Sequence, residues 1–162
     1  MTGRIEKILN ARYNNLTLCY LRSEKKVLGR NLFSLFSGKT VLVVDDSDMS
    51  NSVTKAILER YGMNVLVAQN GNEALTQFSE SKPFSICAVL MDIAMPVMNG
   101  FEATKRIRNL DRPDSATTPI IAVTATVEPS DKKRTFECGM TDFLTKPIVP
   151  ETLCQTIGRY LE

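Results

Sequence analysis

Residues Val89–Gly100 read VLMDIAMPVMNG. A short apolar run with no polar alternation is the pattern of a strand buried on both faces. This one stops on a single carboxylate, Asp92, and Pro96, Asn99 and Gly100 then mark a turn. Asn99 with Glu102 three residues later is a capping-box start, so a helix follows. Strand, charged end, loop and helix in that order make one parallel β/α unit.

The same rhythm runs outward from this stretch. Upstream, Val41–Val44 reads as a first strand, followed by a helix from about Asp48 that puts Val53, Ala56, Ile57 and Tyr61 on one face before Gly62 stops it. Met63–Ala68 is a second strand. Asn70 with Glu73 opens a helix burying Ala74, Leu75 and Phe78, and Pro83 closes the connection to a third strand, Ile86–Met91. Downstream, the helix after Asn99 presents Ala103, Ile107 and Leu110, and Arg112, Pro113 and Asp114 form a loop. Pro119 opens a fourth strand, Ile120–Val123. Pro129 suits the first position of a helix ending at Cys138-Gly139, Asp142–Leu144 is a short fifth strand, and Pro150 starts a last helix carrying Leu153, Ile157 and Leu161. Five β/α units predict an α/β fold, a parallel sheet with helices on both faces.

Composition sets bounds on chemistry. The chain of 162 residues is of one-domain size, 43% apolar and 23% charged. It has no histidine, which excludes His-based acid/base catalysis and any phosphohistidine carried on this chain. Cys19, Cys87, Cys138 and Cys154 lack metal-site or disulfide-scaffold spacing and read as reduced, mostly buried thiols. No apolar run reaches the roughly 18 residues of a membrane span, and the N-terminus lacks a signal-peptide core, so a cytosolic or nuclear location is expected. Residues 1–38 hold seven Lys/Arg against two Glu, a net +5 that leaves −3 on the remainder. They fall outside the β/α rhythm and read as a basic linker or appendage, with a short amphipathic helix at Ile5, Ile8 and Leu9 and an apolar patch at Leu32, Phe33, Leu35 and Phe36. Residues 39–162 form the domain.

In an open parallel sheet the loops after the strand C-termini line one edge, where ligands bind. At those ends stand Asp45 and Asp46 after strand one, Asp92 after strand three, Thr124 after strand four, and Lys146 with Pro147 after strand five. Taken singly, each has an ordinary reading as a cap, turn or solvated residue. Together they converge, and two like charges at 4 Å repel by roughly 4 kcal/mol at an effective dielectric of 20. A cation is required among them; a hard divalent ion with oxygen ligands, Mg²⁺, fits best, with Lys146 supplying further charge. Such a site favours phosphoryl transfer, with one carboxylate as nucleophile.

The blocks VLVVDDSD, VLMDIAMPVMNG, IIAVTAT and DFLTKPI resemble the four signature blocks of the response regulator receiver domain, the CheY-like superfamily, in order over Lys39–Glu162 and with separations of 46, 32 and 22 residues between Asp46, Asp92, Thr124 and Lys146. The resemblance implies a flavodoxin-like sheet of strand order 2-1-3-4-5. It makes Asp92 the phospho-acceptor, places Mg²⁺ on Asp45, Asp46, Asp92 and the Ala94 carbonyl, and puts Thr124 and Lys146 on the phosphoryl group. It makes Phe143 the switch aromatic that turns in with Thr124 and remodels the face of the fourth helix, fifth strand and fifth helix, a surface also suited to a homodimer. Pro147 would follow a cis bond, and the Met98–Gly100 turn would leave the loop over Asp92 sharply. Ile86-Cys87 departs from the Tyr-Asp common at that point in the family. Ala94 and Thr126 stand where side chains help position hydrolytic water, and the apolar Ala94 predicts slow self-dephosphorylation.

The implied function is phosphorelay signalling, in which a histidine kinase or histidine phosphotransfer protein donates to Asp92. The wording of MDIAMPVMNGFEATKRIR and CGMTDFLTKPI is most like receivers attached to hybrid sensor kinases, either alone or as the C-terminal part of one, and no DNA-binding output is expected within the chain. No turnover of a separate substrate is expected. Two alternatives stay open. A haloacid-dehalogenase-like phosphatase would use Asp46 as nucleophile and Asp48 as general acid, and a receiver-fold binding module would work without phosphorylation. The SGKT at Ser37–Thr40 lacks the earlier glycine of a phosphate-binding loop and precedes a strand, and so carries no such role.

Overall fold

The structure, a computed structural model, describes residues 32–125 and 129–161, and the side chains of residues 129 and 130 are not described. The predicted helix at Ile5–Leu9, Cys19 and Thr126 lie outside the described residues. A five-residue helix, Leu32–Phe36, leads into five strands and five helices: β1 Thr40–Val44, α1 Asp48–Glu59, β2 Asn64–Ala68, α2 Gly71–Glu80, β3 Ile86–Asp92, α3 Gly100–Arg108, β4 Ile120–Thr124, α4 Pro129–Glu137, β5 Asp142–Thr145 and α5 Pro150–Leu161. The strands form one parallel sheet in the order β2-β1-β3-β4-β5, as expected. Chain contacts divide the molecule between Leu35 and Phe36, and the unit from Phe36 onward contains the whole sheet. Phe36 is fully buried and packs edge-on against Tyr61.

Alternation along the central strands fills two cores. Leu42, Val44, Val89, Met91, Ile120 and Ala122 join one core with Ala74 and Phe78 of α2 and Phe101, Ala103 and Ile107 of α3. The intervening Val41, Val43, Leu90, Ile121 and Val123 are equally buried, as are Leu58 of α1 and Leu153 and Ile157 of α5. Burial on both faces is why these strands read as continuous apolar runs. The helix starts form as predicted: Asn70 Oδ1 accepts the Glu73 N–H at 3.0 Å and Asn99 Oδ1 the Glu102 N–H at 2.9 Å. Glu73 reaches back past the cap to accept from the Gln69 N–H and from Asn70 Nδ2, whereas Glu102 turns to Arg106 instead.

Three expectations need correction. The buried face of α1 is Asn51, Thr54 and Leu58; Val53 and Ala56 are exposed, and Ile57 and Tyr61 are only half-buried. A periodicity of apolar residues points to the wrong face here because two polar side chains are taken inside. Strands β3, β4 and β5 each run one residue past their predicted C-terminal ends, so that Asp92 and Thr124 are themselves in the ladder, while β1 starts one residue early at Thr40 and β2 one residue late at Asn64. Gly100 is needed for closeness, not for turning: a Cβ there would lie 2.2 Å from the Asp92 carbonyl oxygen. The left-handed position in that loop is Val97, φ 68°, at the centre of a γ-turn closed by the Met98 N–H on the Pro96 carbonyl at 2.8 Å.

Candidate functional site

Sheet register builds the site. Val44 pairs with Met91 and Asp92 with Val123, so Asp45 and Asp92 leave neighbouring strands at one level. Thr124 pairs with Thr145, and the Lys146 N–H continues that ladder onto the Thr124 carbonyl at 2.8 Å. Lysine is long enough to reach back across β4, and its Nζ lies 2.6 Å from Asp92 Oδ2 and 2.7 Å from Asp45 Oδ2. Asp45 and Asp92 are 6% and 4% exposed, Lys146 is half-buried, and Asp46 is open to solvent. Burial pulls the Lys146 ammonium downward, but hydrogen bonds from it to Asp45 and Asp92, with the attraction of both charges, outweigh that and hold its pKa above the ordinary lysine value.

Backbone groups fix the carboxylates in place. Asp92 Oδ1 accepts the Ala94 N–H at 3.0 Å, and Asp45 Oδ1 accepts the Ser47 N–H at 2.9 Å. The other oxygen of each is the one that meets Lys146. Asp45, Asp46 and Asp92 each offer a carboxylate oxygen within 4.8 Å of the other two. Three hard oxygen donors so close suit a small divalent cation such as Mg²⁺, and one ammonium cannot balance all three charges. The predicted site residues Asp45, Asp46, Asp92 and Lys146 are thus brought together, with Thr124 at the adjacent strand end. Phe143, on β5 opposite Ala122, is half-buried against the core and carries the Lys132 ammonium 4.7 Å above its ring centroid. The Lys146–Pro147 peptide is cis. Asp48, the acid needed by a phosphatase reading, sits in the first turn of α1 with its carboxylate accepting from Gln69 Nε2 at 2.6 Å, and does not join the cluster.

Sequence reading missed Asn51. Its Nδ2 donates to the Asp45 carbonyl at 2.7 Å from a position 4% exposed, fixing the end of β1 from behind. Its Oδ1 is the one buried side-chain oxygen or nitrogen among the described residues that lacks a hydrogen-bond partner. The signal was present as Asn51, Thr54 and Leu58 at i, i+3 and i+7, disguised by the polarity of the first two. Beside the carboxylates a cleft of about 270 Å³ runs between α1 and the loop after β5, lined by Met49, Val53, Pro147 and Ile148 over Asp45 and Lys146.

Residues 41–158 match the family described as response regulator receiver domain. Among curated proteins, the chain is 39% identical over 128 residues to hybrid signal transduction histidine kinase I of Dictyostelium discoideum and 33% identical over 151 residues to histidine kinase 2 of Arabidopsis thaliana. Those alignments take in 75% and 82% of this chain but span only 7% and 13% of the kinases. Protein PilH of Pseudomonas aeruginosa is 40% identical over 121 residues, covering 75% of this chain and 96% of PilH. Of solved structures, the receiver domain of a sensor histidine kinase from Pseudomonas aeruginosa PAO1, described with a magnesium ion coordinated in its active-site cleft, aligns with TM-score 0.69 and 30% identity over 77% of this chain and 98% of that one. A co-crystal structure of the Saccharomyces cerevisiae histidine phosphotransfer protein Ypd1 with the receiver domain of Ssk1 aligns with TM-score 0.70 and 28% identity over 77% of this chain and 90% of its match.

Proposed function

The chain belongs to the response regulator receiver domain family of two-component phosphorelays, and from that premise we propose that Asp92 is its phospho-acceptor. The observation that carries this reading is the placement of Asp92: nearly buried, held through Oδ1 by the Ala94 N–H, and paired through Oδ2 with Lys146. A carboxylate oxygen of Asp92 attacks the phosphorus of a phosphohistidine as the P–N bond breaks, and the electron pair leaves with the imidazole, which takes up a proton. Lys146 stabilises the negative charge that spreads over the equatorial oxygens, and Thr124 stands at the next strand end to bond one of them. Asp45, Asp46 and Asp92, with the Ala94 carbonyl, would hold Mg²⁺, which when bound would supply positive charge to the site.

The donor is a histidine kinase or a histidine phosphotransfer protein, since the chain itself carries no histidine. The apolar cleft between α1 and the loop after β5 gives such a donor a surface beside the carboxylates. Phe143 is the switch aromatic, and the α4-β5-α5 face is the surface that switching remodels and through which two copies pair. Residues 39–162 act as a receiver joined by a basic lead-in to a larger hybrid kinase or working alone, in the cytosol or nucleus. No helix of the described residues is long and apolar enough to cross a membrane.

Incubation of the full chain with phosphorylated donors and Mg²⁺, followed by mass mapping, tests the reading. The label is expected on Asp92, absent from Asp92→Asn, and lost over minutes or longer. A label on Asp46 would favour the phosphatase alternative. Output that survives Asp92→Asn would favour a phosphorylation-independent binding module.

A further inference from the structure

Helix α4 is the least anchored of the five around the sheet. Among its described side chains only Thr135 is buried, whereas α3 and α5 each bury five residues and α1 three. Two cation–aromatic contacts made by its exposed side chains tie α4 to its neighbours. On one side the Arg134 guanidinium lies 4.4 Å over the ring of Phe101, a residue 7% exposed in the first turn of α3. On the other the Lys132 ammonium lies 4.7 Å over Phe143 on β5. Phe101 belongs to the buried core and follows Gly100, which is wedged against the Asp92 backbone. Phe143 is half-buried at the sheet margin, in the short edge strand of the pairing order.

We propose that Lys132 is a latch on the switch aromatic: its contact with Phe143 favours the arrangement in which Lys146 bonds both Asp45 and Asp92, and opposes the conformational step that follows phosphorylation. The inference rests on the reading of Asp92 as acceptor and Phe143 as switch. The Arg134–Phe101 contact is the fixed end about which α4 is held, and Lys132 is the end that lets go. When the Phe143 ring turns, Lys132 loses its aromatic face, so each molecule that switches must forgo that attraction. Lys132 acts through Phe143 and touches no reacting atom; it is a positioning residue. At an exposed site such a contact shifts an equilibrium by about two- to five-fold.

The test uses the full chain with Lys132→Met, which keeps the aliphatic stem and removes the charge, and Lys132→Arg, which restores a cation. Two quantities are measured: amide hydrogen exchange of α4 in the unmodified protein, and affinity for beryllofluoride with Mg²⁺ as the phosphoryl analogue. Lys132→Met is expected to speed α4 exchange and to tighten beryllofluoride binding, each by about two- to five-fold, and Lys132→Arg to reverse both. A side chain of merely structural importance would weaken analogue binding when removed, so unchanged or weaker binding in Lys132→Met overturns the latch. Beryllofluoride that binds Asp92→Asn as well as wild type would refute the acceptor reading, and the latch with it; an unchanged α4 exchange rate in Lys132→Met overturns the latch while leaving the acceptor reading standing.

Discussion

Asp114 shows how a loop residue can matter as much as a core one. It is fully buried, with Arg112 Nε 2.6 Å from its Oδ1, and its Oδ2 accepts the Phe84 N–H at 2.6 Å. Arg112 also donates to the carbonyls of Phe78 and Ser79 and stacks over the Phe78 ring. Hydrogen bonding from Arg112, against an opposing burial effect, holds the Asp114 carboxyl below the usual carboxylate range. Removing one partner of a buried pair strands the other charge, so Asp114→Asn should lose about 3 kcal/mol at pH 7 in a denaturant titration. A lowered folded-state pKa stabilises the fold above the ordinary value near 4 and ceases to as pH falls through the folded one. The gap between wild type and variant should therefore close as pH drops below about 4; a gap that stays constant would sink the assignment. The strand-end residues of the site were legible from sequence because an apolar run that stops on a charge fixes both position and direction. The Arg112–Asp114 pair was not, because its partners Phe78 and Phe84 lie some thirty positions away, and only tertiary folding brings them together.

At the scale of elements, the loop from Asp92 into α3 is set by steric closeness. Gly100 donates its N–H to the Ile93 carbonyl at 3.1 Å, and Gly71 at the start of α2 donates to the Met98 carbonyl at 3.3 Å. Both glycines are pressed against this loop: an added Cβ at Gly71 would lie 2.8 Å from Met98. Backbone crowding of that kind cannot be relieved by a side-chain rotation. Gly100→Ala is expected to cost about 3 kcal/mol of stability and to reduce phosphoryl transfer to Asp92, measured by denaturation and by labelling with a phosphorylated donor. Wild-type labelling in a stable Gly100→Ala protein would show that the loop tolerates displacement. The sequence marked this glycine as a turn residue; the exposed Val97 holds the left-handed conformation instead, which β-branched side chains seldom adopt. Local chemistry identified the loop but misassigned the constraint, because the backbone that Gly100 must avoid belongs to a strand end known only once the chain has folded.

At the scale of the molecule, the sheet has two unlike ends. The C-terminal ends of the strands carry Asp45, Asp46, Asp92, Thr124 and Lys146. Toward the other end, Arg108 is engaged from the end of α3: Nε donates to the Gly139 carbonyl at 2.8 Å, and Nη1 to the carbonyls of Ser115 and Thr118 at 2.6 and 2.9 Å. The segment from Asn109 to Pro119 has no helix or strand of its own, yet Arg108 and Arg112 tie it to the helices and turns around it. Ordinarily such a connection would be the first place a protease nicks. Trypsin, however, must draw a guanidinium into its own specificity pocket before it can cut, and here both are already committed inside the fold. Digestion of the native protein should therefore leave the bond after Arg108 intact while those after exposed Arg60 and Lys133 are attacked, and early peptides ending at Arg108 would mean that this end of the molecule opens more readily than its hydrogen bonds imply.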